Sequence, residues 1–595
     1  MGKETWGNNP VSAVVRVAIP VLAGTISLFL IAVLPGAGVA QGTFGDTNVR
    51  LYTLSGNVSL QGHGYTTNRS VNRREPLGAL TTANLSYSVL GFRSGLSFRY
   101  STDDSRLRQS MNEIGFSGSW RWISVAAGDV SPNHSRFGMS GTRIRGGEIR
   151  LSPGLLRFEA GVGQANRAVD FETGTGLRQP SFERWIYATK IGYGSTSGSY
   201  FNLSGLYGRD IAGSIRFPDD PDLMPPGIPV PSPAENLSLT PDFQVSLFNR
   251  AFRLGAETTF SAFSRDTRSP ALDASDSGAP GWIIDLFRPR VSTRVSFAGQ
   301  AHTELNIDPF QLRVGYERIQ PGFESIGQRQ MRDDQQLWTF QPRLYLFGNR
   351  FSIDSSVRIG RDNLLGNRLF TQKRQDISLN TRTQITGSFS LGAGFSLFDN
   401  RTEATSDSPD VPELSQRQLS RMFQLQPVLM LFSGNISHSI AMAGVYQQLD
   451  ARLPSNYQER NSGSSTITSM LTYTLGLPSG LSLNSSLNGL WGEAAGSDFT
   501  AYGITLGSGF SFFDRSLTLN LSGGYSQNSF TRPTMEGPGI TTTSRQVNGN
   551  IMASYRITTT NSLRLNLRSM SNFADTGGPP AFSEFDVRLQ YQHNF

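Results

Sequence analysis

The sequence predicts an all-β fold. It is a single large antiparallel up-and-down transmembrane β-barrel of about 26 strands, in a range of roughly 24–28, with no separate plug or periplasmic domain. Three observations predict it. Segment after segment alternates apolar and polar residues with period two. The connections between these segments alternate between short turns and long polar loops. The only long apolar run is near the amino terminus, and mean hydropathy is −0.27, which excludes a bundle of apolar membrane helices.

That run, Val17–Leu34, follows Lys3 and Arg16 and leads into Pro35, Gly36, Ala37, Gly38, Val39 and Ala40. A basic start, an apolar middle and a small-residue exit are the pattern of a secretory leader cut before Gln41. The expected division is therefore a signal peptide over 1–40 and a barrel over 41–595. The chain has no Cys, so disulfides, thiolate chemistry and Cys-based metal sites are excluded. Of 53 basic residues only Lys3, Lys190 and Lys373 are lysines, and 46 acids nearly balance them. No basic run or basic helix exists, so the formal charge of +7 does not mark a nucleic-acid binder.

From about residue 50 one unit repeats: strand, short turn, strand, longer polar loop. Leu156, Phe158, Ala160 and Val162 alternate with Arg157, Glu159 and Gly161. Phe310, Leu312, Val314 and Tyr316 alternate with Gln311, Arg313, Gly315 and Glu317. Phe351, Ile353, Val357 and Ile359 share one face, with Asp354, Ser356 and Arg358 on the other. Val547, Ile551 and Tyr555 oppose Asn548, Asn550 and Arg556, and Leu563, Leu565 and Leu567 oppose Arg564, Asn566 and Arg568. One strand cannot tell a soluble sandwich from a membrane barrel, because both have one apolar face.

The connections can. Short turns fall near 91–94, 118–121, 152–154, 195–198, 249–251, 307–309, 348–350, 386–387, 433–435, 477–480, 514–515 and 558–561. Long loops fall at 66–79, 165–182, 211–237, 264–290, 320–336, 361–374, 400–416, 449–462 and 529–541. Short turns on one rim and long loops on the other suit a barrel with one rim facing outside. A Greek-key sandwich gives no reason for such regularity. Trp120 with Trp122, Phe347 with Phe351, and Phe512 with Phe513 cluster at short turns, as an interfacial aromatic belt requires.

The chain closes on Phe585, Val587, Leu589, Tyr591, His593 and Phe595, alternating with Asp586, Arg588, Gln590, Gln592 and Asn594. This ending resembles the closing strand of Gram-negative outer-membrane β-barrels of the porin and translocon class. The resemblance implies that Tyr591 and Phe595 form the signal read by the barrel-assembly machinery, and that the mature protein sits in the outer membrane among its lipids.

A closed barrel of this size has a backbone diameter of roughly 50 Å. An open hole that wide would abolish the membrane barrier. Only about ten residues separate the expected cleavage point from the first strand, which leaves no place for an amino-terminal plug. Three solutions remain: long loops fold inward, a separate lumen-filling or periplasmic protein partner occupies the barrel, or the barrel is flattened. Two loops are candidates for constriction. One carries Trp282, Ile283, Ile284, Leu286 and Phe287 within a polar context; the other carries Phe323 between Arg318 and Gln336. The Pro-rich segment 217–233 reads as stiff and external.

No chemistry-bearing motif is present. His63, His134, His302, His438 and His593 do not fall at metal spacing, and there is no nucleophile elbow, P-loop or dinucleotide fingerprint. Asp333-Asp334 and Asp219-Asp220-Pro221-Asp222 read as solvated loop acids rather than cation sites. An enzyme is not expected, nor a cofactor, a metal or a nucleic-acid partner. With the apolar faces outward, Arg313, Arg343, Arg358, Arg382, Arg556, Arg564, Arg568 and Arg588 line the lumen, together with Arg99, Arg121, Arg145 and Arg157. Fewer acids face them, including Glu113, Glu148, Glu159, Glu317, Asp354, Asp376 and Asp586. Such a wall is either an ion-pair lattice or an electropositive path. The expected function is a passage for solutes or exported material gated by loops or a partner; the alternative is a non-conducting scaffold barrel of an envelope complex.

Overall fold

The computed structural model describes residues 52–69, 76–102, 112–170, 180–216, 230–272, 284, 286–328, 331–405, 416–453, 460–494, 496–534, 539–573, 578 and 580–595. The expected leader, 1–40, lies outside them, as do Trp282 and Ile283. Twenty-six strands form one sheet. They are β1 (Tyr52–Thr67), β2 (Leu77–Val89), β3 (Phe92–Ser101), β4 (Glu113–Trp120), β5 (Ile123–Val130), β6 (Ile144–Leu151), β7 (Leu156–Asn166), β8 (Arg184–Gly194), β9 (Tyr200–Asp210), β10 (Glu235–Leu247), β11 (Phe252–Ser264), β12 (Thr293–Ile307) and β13 (Phe310–Ile319). Then follow β14 (Gln335–Leu346), β15 (Phe351–Asp362), β16 (Phe370–Gln384), β17 (Phe389–Ala404), β18 (Gln416–Ser433), β19 (Ile436–Leu453), β20 (Arg460–Gly476), β21 (Ser482–Ala494), β22 (Ser497–Phe512), β23 (Leu517–Arg532), β24 (Ile540–Arg556), β25 (Asn561–Phe573) and β26 (Phe582–Asn594).

Each strand pairs antiparallel with the strand before it, and β26 pairs with β1, from Asn57 opposite Asn594 to Thr67 opposite Glu584. The Phe595 N–H adds a bond to the Gly56 carbonyl at 3.0 Å. Closure removes both sheet edges, so every strand finds hydrogen-bond partners without water.

The two faces identify the solvent on each side. On β10 to β12, Leu239, Phe260 and Val295 are 47%, 51% and 74% exposed, whereas Thr240, Thr259 and Ser261 are 1%, 0% and 0% exposed. A protein in water hides the first set and shows the second. Here the apolar face points out over strand after strand, which suits hydrocarbon and not water.

The short turns carry the sharpest local signals. Leu90, Phe248, Phe347 and Phe513 sit at turn tips with φ of 47°, 51°, 54° and 53°. Positive φ strains a residue bearing a Cβ. Asn249, Gly348 and Asp514 follow with φ of 54°, 62° and 51°, and these residue types tolerate the left-handed region best. The turn words Leu247-Phe248-Asn249-Arg250, Leu346-Phe347-Gly348-Asn349 and Phe512-Phe513-Asp514-Arg515 are variants of one solution. Their Phe rings are strongly exposed, as are Trp120 and Trp122, and together they ring the short-turn rim with aromatics at membrane-interface positions.

Two connections depart from the sequence reading. β21 and β22 lie only two residues apart, with Ala494 opposite Ser497, although they meet on the long-loop rim. The β5–β6 connection, residues 131–143, is a long ordered loop that the alternation did not single out.

Candidate functional site

The β5–β6 loop is built to fold back into the barrel. Pro132 has no N–H and ends the β5 ladder. The chain then turns on itself: His134 N–H donates to the Met139 carbonyl at 3.0 Å, and Met139 N–H donates to Ser135 O at 3.2 Å. Ser135 Oγ accepts from the N–H groups of Gly138 and Met139, each at 3.1 Å. This small hairpin presents Phe137 and Met139 as buried side chains. The β13–β14 loop, residues 320–334, meets it. Ser325 Oγ donates to the Gly138 carbonyl at 2.8 Å, Thr142 Oγ1 to the Gly327 carbonyl at 2.9 Å, and the Gln328 amide to the Arg136 carbonyl. A Cβ on Gly327 would stand 2.2 Å from the Gly138 oxygen, so only glycine permits this crossing.

Both loops are fastened to the polar face of β8 to β13, which is the lumen wall. Arg136 N–H donates to Glu257 at 2.6 Å, and its guanidinium reaches Gln300 and, at 2.5 Å, Glu317. Ile326 N–H donates to Asn236 at 3.1 Å, and Ser261 Oγ to the Glu324 carbonyl at 2.7 Å. Two apolar clusters fill the gaps. Met139, Ile144, Ile186, Leu206 and Ile326 form one with Val130, Ala188 and Ala234. Phe137, Ala298, Ile319 and Phe323 form the other. Small wall residues make room: a Cβ on Gly208 would stand 2.9 Å from Ile326. Apolar side chains thus pack inside a polar lumen, where they would be exposed to water if the loops swung out.

A charged knot sits under the first loop. His134 Nε2 lies 3.5 Å from Glu148 and 3.6 Å from Glu159, and His134 and Glu148 are buried. These three residues could each offer one ligand atom to a metal. Arg150, however, grips both oxygens of Glu148 at 2.9 and 2.8 Å and lies 4.0 Å from Glu159. With both Glu148 oxygens already engaged by a guanidinium, the donor set fits an ion-pair network that ties loop to wall better than a metal centre.

No family model matches the chain, and no curated protein matches it. The chain is a closed 26-strand β-barrel with an apolar outer face. Among solved structures it is similar to Pseudomonas aeruginosa FpvA bound to heterologous pyoverdines, at 10% identity over 91% of this chain and 72% of that one, with a TM-score of 0.38. It is similar to Acinetobacter baumannii OccAB3 at 9% identity over 61% and 93% of the two chains, TM-score 0.28. It is also similar to the E. coli P pilus tip assembly intermediate PapC–PapD–PapK–PapG, at 10% identity over 90% and 60%, TM-score 0.43. The membrane assignment rests on the closed ladder and the exposed apolar belt of this chain itself.

The sequence-predicted residues fall into distinct places. Phe323 lies in the second lumenal cluster. Phe287 is buried but belongs to neither cluster, Leu286 is exposed, and Ile284 is half-buried. Arg313 pairs with Glu304 at 3.2 Å, Arg343 with Asp354 at 3.1 Å and Arg588 with Asp586 at 2.9 Å. Arg358 and Arg568 stand opposite Asp376 and Asp586 in register. Arg382 faces Ser352 and Gly392, Arg556 faces Ser562, and Arg564 faces Ser554 and Gln590; all three arginines are exposed, with no acid opposite. Two other expectations are corrected. Arg121 sits in a tight turn with φ of 53°, not in the wall. Arg145 pairs with Asp129 at 3.2 Å on the face opposite Glu148, because an odd offset along a strand reverses the face. At the carboxy terminus, Tyr591 OH donates to Asn561 Oδ1 at 2.6 Å, and the Phe595 ring packs edge-on against His593 at 4.4 Å.

Proposed function

We propose that the chain is an outer-membrane channel for anionic solutes, narrowed by two inserted loops. The observation that carries this reading is the asymmetry of the lumen. Among the described residues, loops 131–143 and 320–334 cover the wall of β8 to β13. Outside that covered wall, Arg382 on β16, Arg556 on β24 and Arg564 on β25 stay exposed near the short-turn rim without facing acids. Guanidinium groups without facing acids on a lumen wall attract anions and repel cations. Two loops of this length cannot fill a barrel roughly 50 Å across. That uncovered wall equally supports a second reading, in which a separate protein occupies the remaining lumen and the barrel serves as an export pore or scaffold.

Charge reversal tests the first reading. Replacing Arg382, Arg556 and Arg564 together by Glu should invert the sign of the reversal potential across a salt gradient in planar bilayers. An unchanged reversal potential in a folded variant argues against an anion path. A stoichiometric protein partner that co-purifies with the wild-type barrel supports the second reading.

A further inference from the structure

The outer face carries charges where a lipid-facing wall should be apolar. On β18, Arg417 and Arg421 share the outward face with Phe423 and Leu425, because the register with β17 and β19 runs without a shift. Phe423 packs on Phe395 and Tyr446, whose rings lie 4.9 and 6.5 Å away. From Leu431 to Phe423 this outward face rises about 20 Å along a tilted strand, close to the ~25 Å apolar band of outer-membrane barrels. Arg421 is the next outward residue beyond the band, and Arg417 follows on the loop side.

Neighbouring strands repeat the pattern at the same height. Lys373 on β16, Arg401 on β17 and Arg452 on β19 stand outward above apolar positions. The acids do not balance them. Asp399 holds both Arg401 at 2.7 Å and Arg417 at 2.9 Å, Asp450 holds Arg421 at 3.1 Å, and Glu403 holds Lys373 at 2.6 Å. Arg452 is exposed and has no carboxylate partner among the described residues. Among the described residues of this face, five cations thus meet three anions. A self-contained ion-pair lattice would have no reason for the surplus, and an unmatched positive charge at the edge of hydrocarbon is unfavourable.

The surplus surrounds a recess. Arg417, Leu419, Arg421, Asp450, Arg452 and Gly463 line a cavity of about 360 Å³ that opens to the outside of the barrel. Gly463 stands opposite Asp450 and its missing side chain leaves the space. The volume falls within the ~300–1,000 Å³ of ordinary ligand clefts. Its rim is Arg-rich, and Arg forks match phosphate oxygens bidentately.

We infer that this outer face of β16 to β19 is a binding site for the phosphorylated sugar headgroup of an outer-leaflet glycolipid. The phosphate would sit between Arg417, Arg421 and Arg452, and the acyl chains would run down over Phe423 and Phe395. The site rests on the reading that the long-loop rim faces outside, but not on conduction. A barrel that passes no ions would still bind the lipid.

The test is native mass spectrometry of the full-length barrel in detergent, titrated with purified lipopolysaccharide. A retained adduct is expected, weakened about tenfold or more in the triple variant Arg417→Gln, Arg421→Gln, Arg452→Gln, and unchanged in the loop variant Arg268→Gln. Heat-modifiable gel mobility establishes that each variant is folded. With the wild type, phosphatase-treated glycolipid should lose the adduct to a similar extent. Equal retention of the dephosphorylated lipid, or by the triple variant, overturns the site. An epitope placed within 406–415 should be reached by antibody on intact cells; if it is not, the outer-leaflet source is refuted.

Discussion

Replacing Phe137 by Ala should release the inserted loops while leaving the barrel intact. Phe137 is 1% exposed and packs with Ala298, Ile319 and Phe323, so truncation removes a large buried ring from a site that cannot collapse easily. Losses of this kind cost about 3–5 kcal/mol. Ordering a loop is itself expensive, at about 1–2 kcal/mol for each residue fixed, so the inserted state survives only on a narrow balance. Shifting that balance by 3–5 kcal/mol changes the ratio of inserted to released loop by roughly a hundred- to several-thousand-fold. The barrel does not share the loss, because its ladder closes through β1 and β26 on backbone bonds that Phe137 does not touch. Two assays read the change. Single-channel recordings should show larger and noisier conductance, and trypsin should cut at Arg136 or Arg143 in folded, detergent-solubilised protein. Wild-type conductance together with wild-type protease resistance would refute the reasoning that these apolar contacts hold the loops in.

Other predictions follow from the same geometry. Ser140 and Gln328 are bridge partners across the two loops and the chain has no Cys; Ser140→Cys with Gln328→Cys should therefore form a single disulfide under oxidation, seen as a reducible gel shift, and no cross-link would place the loops apart. Deleting Ala279–Phe287 should raise conductance less than Phe137→Ala does, since Phe287 joins neither lumenal cluster; a larger rise would move the restriction to that loop. Phe595→Asp should lower the amount of barrel in outer-membrane fractions, and undiminished levels would remove the terminal aromatic from assembly.

Strands and short turns were legible in the sequence because their signals are local. Period-two alternation reports one wall with two solvents, and the turn words around Phe248, Phe347 and Phe513 need left-handed residues at fixed places. The inserted loop was not legible. Residues 131–143 form no periodic element, and Phe137 and Met139 are only two apolar residues in a run of Ser, Asn, Gly and Arg. Their burial depends on a second loop nearly two hundred positions away, joined through Gly327 and Gly138. The available hint was Pro132 with a pair of glycines around alternating apolar residues, a pattern too common to stand alone. The lumen was legible only as a face. Register decided which arginines met acids: Arg343 has Asp354 opposite, while Arg564 has only Ser554 and Gln590. Arg145 and Glu148 are three positions apart on one strand, an odd offset, and so lie on opposite faces.

Conductance of the purified wild-type barrel in a planar bilayer, recorded under a salt gradient, tests the central claim most directly. A lumen partly blocked by loops 131–143 and 320–334 and lined by Arg382, Arg556 and Arg564 should give discrete openings, far smaller than those of a hole roughly 50 Å wide, with a reversal potential favouring anions. A silent bilayer containing folded barrel, or a wide cation-selective pore, would contradict the account.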